Sequence, residues 1–337
     1  MSAAPSRRVR FAHRLSARLA ALRTARRWRA QRRNLDRPTV AVALVEHMGD
    51  IVAAEPVARR VRALYPQAHI VWVVRPAYAQ LPRAFAAVDE VLLVRCLTEW
   101  IHLSRADLFD AVFDLHLDGR DCARCKVPIR RDVSGHGVTL HNYYADGPLL
   151  SAFCRSAGLA VLDDGPVLDI PADVQARIAG RVPEEPYVVV HARANQTGRE
   201  WNDAAWDELT TGLHARTGMP IVEVGLDPVL AAGGVDRSRL CGSLSLLETA
   251  EVIRRATLFV GIDSGPAHLA NAVGTPGVVL LGHYSRYERY VPYTGPYATG
   301  EGATLVHWPG PVRELPVREA AEAVLERLER VAAGRTG

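Results

Sequence analysis

Asp263, Ser264, Gly265 and His268 stand within one six-residue run, Asp-Ser-Gly-Pro-Ala-His, and together suit the gripping of a phosphorylated ligand. Pro266 is pre-set for a first helical turn, and Ser264 and Gly265 leave backbone N–H groups open in front of it, the arrangement that binds phosphate. The Asp263 carboxylate is placed to accept hydrogen bonds from neighbouring sugar hydroxyls. His268 falls in the first helical turn, where the dipole disfavours its cation but a neutral imidazole still donates to phosphate; plain packing under a sheet is the alternative. A second pair, Gly49-Asp50, follows the first apolar run after Pro38. Gly49 permits close approach of backbone to ligand, and Asp50 either caps a helix or presents a proton acceptor.

These residues need elements to hold them. The run 258–262 reads as a buried strand, 263–265 as a tight turn, and 278–281 as a second strand after a short helix. From Pro38 onward, strands are expected at 40–45, 69–74, 88–94 and 111–115, with helices at 51–64 and 143–157. A proline-bearing polar stretch, 163–186, reads as a linker. Alternation resumes with strands at 187–190 and 221–224, helices at 203–217 and 246–256, and a closing amphipathic helix at 317–332. Strands apolar on both faces and separated by helices predict an α/β protein with parallel sheets covered on both sides. The expected layout is an N-terminal segment 1–37, Rossmann-like halves at 38–175 and 182–310, and a terminal helix 311–337. In such doubly wound halves, ligands bind at the carboxyl ends of the strands, here in a cleft between the halves.

At 337 residues the chain is long enough for two such domains, and no apolar run approaches the ~20 residues needed to cross a bilayer. Residues 1–37 hold twelve arginines against the single acid Asp36, a charge of +11; the chain totals +4, so the remainder carries −7. Phe11, Leu15, Leu19 and Leu22 share a narrow helical stripe among those arginines. The segment is either a basic amphipathic helix suited to an anionic membrane surface or a solvated tail. An acidic remainder without basic–aromatic interleaving argues against nucleic acid. Of five cysteines, only Cys122 and Cys125 are close in sequence, and no second pair follows at zinc-site spacing. Reduced bystander thiols in a cytoplasmic protein are the expectation, with metal or redox chemistry the alternative.

Taken together, the chain resembles the bacterial heptosyltransferases, glycosyltransferase family nine, over nearly all of residues 38–330. The resemblance rests on Met48-Gly49-Asp50 after a strand, Tyr65-Pro66, the strand at 69–74, and Asp263-Ser264-Gly265-Pro266-Ala267-His268-Leu269-Ala270 continuing through Gly274-Thr275-Pro276. A weaker match is His191–Trp201, ending Arg199-Glu200-Trp201. It implies GT-B architecture and inverting sugar transfer from a nucleotide-activated donor, usually ADP-heptose, to a saccharide; if residues 7–33 hold the chain on an inner leaflet, a lipid-linked saccharide on the cytoplasmic face is the natural acceptor. Asp50 becomes the candidate base, with Gly49, Arg199, Asp263, Ser264, Gly265 and His268 holding the donor. The family's usual His-Pro-Gly run is replaced by His191-Ala192-Arg193-Ala194-Asn195-Gln196, so His191, Arg193 and Asn195 join the donor side, with Asp227 and Leu244 as further donor-side candidates.

Trp201 and Trp206 read as core anchors. Half of the ten tyrosines lie between 284 and 297, where they either stack on ligand or brace a long loop. Tyr284, Tyr287, His136 and His141 are the acceptor-side candidates. No Asp-x-Asp pair occurs, so no metal is expected at the diphosphate and no cofactor beyond the nucleotide sugar. A nucleotide-sugar epimerase and a non-catalytic sugar-nucleotide-binding protein are the alternatives on the same scaffold.

Overall fold

The computed structural model describes residues 6–194, 196–230 and 237–335. The chain divides into two compact units, with the boundary between Leu162 and Asp163.

The first unit contains, in order, α1 (Arg7–Arg32), β1 (Thr39–Ala43), α2 (Met48–Ala53), α3 (Glu55–Leu64), β2 (His69–Val74), α4 (Gln80–Arg83), β3 (Glu90–Leu93), α5 (Leu97–Leu103), β4 (Ala111–Asp114) and α6 (Leu149–Ser156). Its sheet is parallel with strand order β3-β2-β1-β4, and every residue of β1 and β2 is buried, as sheets covered on both faces require. The helix expected over 51–64 is two helices meeting at Ala54, because Pro56 has no N–H to continue the ladder and opens α3 instead. The helix expected from 143 begins only at Leu149, behind Pro148.

The second unit contains α7 (Ala172–Ile178), β5 (Val188–His191), α8 (Asp203–Thr217), β6 (Ile221–Glu223), β7 (Arg237–Arg239), α9 (Leu246–Arg255), β8 (Leu258–Ile262), α10 (Gly265–Ala272), β9 (Gly277–Leu281), α11 (Pro296–Thr299), β10 (Ala303–His307) and α12 (Val317–Arg335). Its parallel sheet runs β10-β9-β8-β5-β6-β7. The helix ends follow local chemistry. Asn202 caps α8, Gly218 closes it at φ 70°, and Ser245 with Glu248 forms a capping box on α9.

The expected linker is a correction. Residues 163–171 pack onto the second unit through Leu168 N–H to Ala272 O (3.1 Å), Gly295 N–H to Asp163 O (2.9 Å) and the Thr294 hydroxyl to Asp164 O (2.8 Å). Gly165 and Gly295 pass so closely that a Cβ on Gly295 would meet Gly165 N at 2.6 Å. The segment therefore belongs to the second unit, and the first ends at 162 rather than 175. Likewise α12 is no separate appendage, since Ala320 and Val324 lie in the core of the second unit.

The N-terminal segment is an ordered helix built into the first unit. Ala17, Ala21, Ala25 and Trp28 of α1 enter a core shared with Trp100 and Leu103 of α5, and Trp28 Nε1 donates to Leu108 O at 3.1 Å. The docked face is the small-residue face. Phe11, Leu15, Leu19 and Leu22, on the opposite side, remain 70, 50, 47 and 54% exposed.

Candidate functional site

In each unit the polar groups gather where the strand order reverses, at the carboxyl ends of the strands. In the first unit that point lies between β1 and β4. Chain leaving β1 passes Glu46 and His47 and enters α2, with His47 as N-cap in an extended conformation and Asp50 in the first turn. Asp50 Oδ2 is 3.6 Å from His47 Nδ1 and 3.6 Å from the Arg120 guanidinium, which arrives on the chain after β4. Val45 N–H donates to His116 Nε2 (3.0 Å), and His116 Nδ1 faces Asp114 at 2.6 Å, so the ring bridges the end of β1 and the end of β4. Burial raises the Asp114 carboxyl, but His116, Arg131 and the Trp100 N–H outweigh it and hold Asp114 below the usual carboxylate value. Glu46, Asp50, Leu97, His116, Arg120 and Phe153 line one small pocket here. Asp50 thus lies in a pocket wall with a cation beside it. Arg120 and His116 carry no sequence signal, because only pairing of β4 with β1 brings them to Asp50.

In the second unit the reversal falls at β5, flanked by β8 and β6. His191 ends β5 and Ser264 follows β8; the Ser264 hydroxyl and His191 Nδ1 are 3.0 Å apart across the reversal. Burial drives the His191 imidazole down to about 4, so it is neutral. Gly225, at φ 141° after β6, makes room for it, since a Cβ there would meet the ring at 3.2 Å. Ser264 is the N-cap of α10 but makes no cap hydrogen bond from its side chain, which is turned to His191. The helix thus presents its first N–H groups, together with Gly265, at the end of the sheet.

Asp263 is where the structure departs from expectation. It is 3% exposed, and its carboxylate is already engaged: Arg199 at 3.1 Å and the Tyr290 hydroxyl at 2.8 Å on Oδ2, with Tyr293 at 3.5 Å on Oδ1. It anchors Arg199 rather than standing open to sugar hydroxyls. Burial, with the Asp263 charge beside them, pushes the Tyr290 and Tyr293 hydroxyls well up, so both stay protonated donors. Arg199 is clamped on its other side by Tyr284, whose ring lies 3.7 Å from the guanidinium. Tyr284, expected on the acceptor side, packs here on the Arg199–Asp263 pair. Tyr287 pairs through its backbone with Tyr284 (2.8 and 3.0 Å), making the turn that carries that ring. His268 is buried and its ring packs on Tyr293 at 4.7 Å.

The remaining candidates separate. Arg193 makes a two-pronged ion pair with Asp203 (2.9 and 3.0 Å), so its guanidinium is held at the start of α8 and not by the Ser264 cluster. Asn195 lies outside the described residues. Asp227 is exposed on the loop after β6, a loop held by Glu223 accepting from Leu230 N–H at 3.2 Å. Leu244 is half-buried directly before the α9 cap. His136 turns back on its own loop, accepting from Val138 N–H at 3.0 Å, and His141 is on the same loop, which is tied to the chain after β4 by Leu140 N–H to Asp118 O at 2.9 Å. Trp201 and Trp206 are buried edge-to-face anchors, centroids 5.0 Å apart.

Two Rossmann-like parallel-sheet units in one chain, each with polar side chains gathered at its strand-order reversal, define the GT-B class of α/β protein. Residues 153–303, which include β5 through β9 and the Ser264 cluster, match the model of glycosyltransferase family 9 (heptosyltransferase). Over that stretch the chain is similar to the heptosyltransferases of this family. It is 30% identical over 142 residues to lipopolysaccharide heptosyltransferase 3 of Escherichia coli, an alignment spanning 40% of this chain and 39% of that protein. Lipopolysaccharide heptosyltransferase 1 of Salmonella typhimurium is 24% identical over 283 residues, 72% of this chain and 88% of the relative. The solved ADP-heptose lipopolysaccharide heptosyltransferase II of E. coli shares the fold with a TM-score of 0.66 at 18% identity, covering 87% of this chain and 99% of that one.

Proposed function

We propose that the chain transfers a sugar, heptose or a close relative, from an ADP-linked donor to a saccharide or glycolipid hydroxyl with inversion at the anomeric carbon. The observation that carries this reading is Arg199 held between Asp263 and Tyr284 at the end of the sheet where α10 begins. A fixed cation and a helix N-terminus are what a departing nucleoside diphosphate needs as negative charge grows on it. On this reading no catalytic metal takes part, since the positive charge comes from Arg199 and the α10 N–H groups. Asp50 accepts the acceptor hydroxyl's proton as that oxygen attacks, and His268 donates to phosphate as a neutral ring. The family match favours transfer over the epimerase alternative.

The first test is thermal shift against ADP-, GDP-, UDP- and dTDP-sugars, where the true donor raises the melting midpoint by mass action. Asp50→Ala then separates the classes: donor binding persists while turnover falls about 10²- to 10⁴-fold, the usual worth of a positioned base. Unchanged turnover sinks the assignment. Turnover insensitive to chelator supports metal-free transfer, and loss of turnover restored by an added divalent ion refutes it.

The reading extends to location. No helix among the described residues is long and apolar enough to cross a membrane. The exposed Phe11, Leu15, Leu19 and Leu22 stripe, flanked by exposed Arg7, Arg8, Arg18 and Arg26, suits peripheral docking on an anionic inner leaflet, where each arginine contributes about 1 kcal/mol. Because α1 is part of the core, replacing the four stripe residues by Ser is a cleaner test than truncation at Pro38. The variant should remain folded and stop sedimenting with anionic vesicles; unchanged sedimentation refutes the placement.

A further inference from the structure

We propose that Cys96, Cys122 and Cys125 ligate one zinc ion in the first unit, with an oxygen in the fourth position. Cys96 is the N-cap of α5, and Cys122 and Cys125 sit on the turn that follows β4. All three are buried and unbridged, and their sulfurs lie within 4.8 Å of one another. The Cys96 and Cys125 sulfurs are 3.9 Å apart. Tetrahedral zinc with ligands at about 2.3 Å sets sulfurs about 3.8 Å apart, whereas a disulfide needs about 2.0 Å. The trio is therefore spaced for an ion rather than for a bridge.

Backbone donors face two of the three sulfurs. The Glu99 N–H points at the Cys96 sulfur, and the Thr98 and Cys125 N–H groups point at the Cys122 sulfur. Two of those donors, Thr98 and Glu99, belong to the first turn of α5, where the helix dipole stabilises negative charge. The turn itself is fixed by Cys122 N–H to Val127 O and Lys126 N–H to Cys122 O, both 2.9 Å, with Lys126 at φ 49°.

The Thr98 hydroxyl is buried beside the Cys122 and Cys125 sulfurs and hydrogen-bonds to them. An ion in the middle of the trio takes that oxygen, or a water it holds, as its fourth ligand. Thiolate-rich tetrahedral sets select zinc among abundant divalent ions. Helix α1 closes over the site: Arg14 donates to Cys125 O (3.0 Å) and to Lys126 O (3.1 Å), and Ala17 and Ala21 share the apolar cluster of the three cysteines. The ion would thus staple α1, α5 and the turn after β4, and would fix Arg120, two residues before Cys122, beside Asp50. Binding releases the remaining thiol protons to solvent.

Elemental analysis of the full chain, purified reduced and without chelator, should find about one zinc per chain. Cys122→Ser and Cys125→Ser should lose it, and Cys154→Ser and Cys241→Ser should keep it. Should the first two variants fail to fold, the unmodified chain decides. Stripped of metal under reducing conditions and titrated with Co²⁺, it should develop thiolate-to-cobalt charge-transfer absorption and tetrahedral visible bands that zinc abolishes. A folded chain with no bound zinc and no cobalt spectrum overturns the proposal, as does an iron–sulfur chromophore or a native disulfide among the three.

Discussion

Asp263 can serve a sugar or serve Arg199, and the two roles separate by measurement. A charge-assisted hydrogen bond from Arg199 to phosphate is worth about 1.5–3 kcal/mol, so Arg199→Ala should weaken ADP binding about 10- to 100-fold. Asp263→Asn keeps size but removes the charge that holds Arg199 at 3.1 Å; the Tyr284 ring at 3.7 Å still restrains the guanidinium. Since that ring contact is worth about 0.5–2 kcal/mol, the loss should be partial, about tenfold. Two signatures follow. First, Asp263→Asn should weaken ADP and ADP-sugar in the same ratio, because what it disturbs is the phosphate cation. Second, Asp263→Asn placed on Arg199→Ala should add less than about twofold, since the pair acts as one unit. Titration calorimetry with both ligands on the four proteins gives all the numbers. If Asp263→Asn spares ADP and selectively weakens the ADP-sugar, the carboxylate touches sugar and the anchoring argument is wrong.

Three further outcomes follow from packing and burial. His191 is held near 4 by burial against an ordinary 6.5, so the unfolded chain binds its proton first as pH falls; stability fully present above about 6.5 should drop by about 3 kcal/mol toward pH 4, and denaturant melts of His191→Gln should show a shallower pH dependence. Gly282→Ala would drive a Cβ into the Val312 N and to 2.7 Å from Gly310 O, both backbone, so unfolding should cost about 3 kcal/mol less, read as a lower denaturant midpoint; an unchanged midpoint refutes the close crossing after β9. Trp28→Ala removes the largest anchor of α1 and should destabilise the first unit by about 3–5 kcal/mol; a neutral result would mean the helix is not docked.

Much of the architecture was legible in local pattern. The strands His69–Val74 and Leu258–Ile262 and the helix Asp203–Thr217 stand where periodicity and caps put them. The Asp-Ser-Gly-Pro-Ala-His turn opens α10 as expected, because its chemistry is contained in six consecutive residues. What escaped depends on contacts far apart in sequence. β10 is half-buried and has weak apolar signal, and the stretch at 163–171 looks like a linker because its polar backbone groups find their partners in Ala272, Thr294 and Gly295, over a hundred residues on. Tyrosines 290, 293 and 297 are bracing residues, a fate that composition alone left open. The Asp263 carboxylate reads as a ligand group until Arg199 and Tyr290 are seen on it.

The N-terminal helix shows why an amphipathic pattern by itself names no partner. A stripe of Phe11, Leu15, Leu19 and Leu22 is the obvious apolar face, yet α1 docks by Ala17, Ala21, Ala25 and Trp28. Small residues let the α1 backbone come close to α5, and one tryptophan supplies the area and a hydrogen bond to Leu108 O. With that face satisfied, Phe11, Leu15, Leu19 and Leu22 stay exposed, while Arg14, Arg29 and Arg32 tie α1 to backbone carbonyls of the first unit. The same docking carries Arg14 onto the carbonyls of the Cys122–Cys125 turn, so the surface that reaches outward and the thiol cluster beneath share one element. Loss of the ion should therefore loosen α1 and weaken vesicle binding even with the leucine stripe intact, a coupling that neither feature alone predicts.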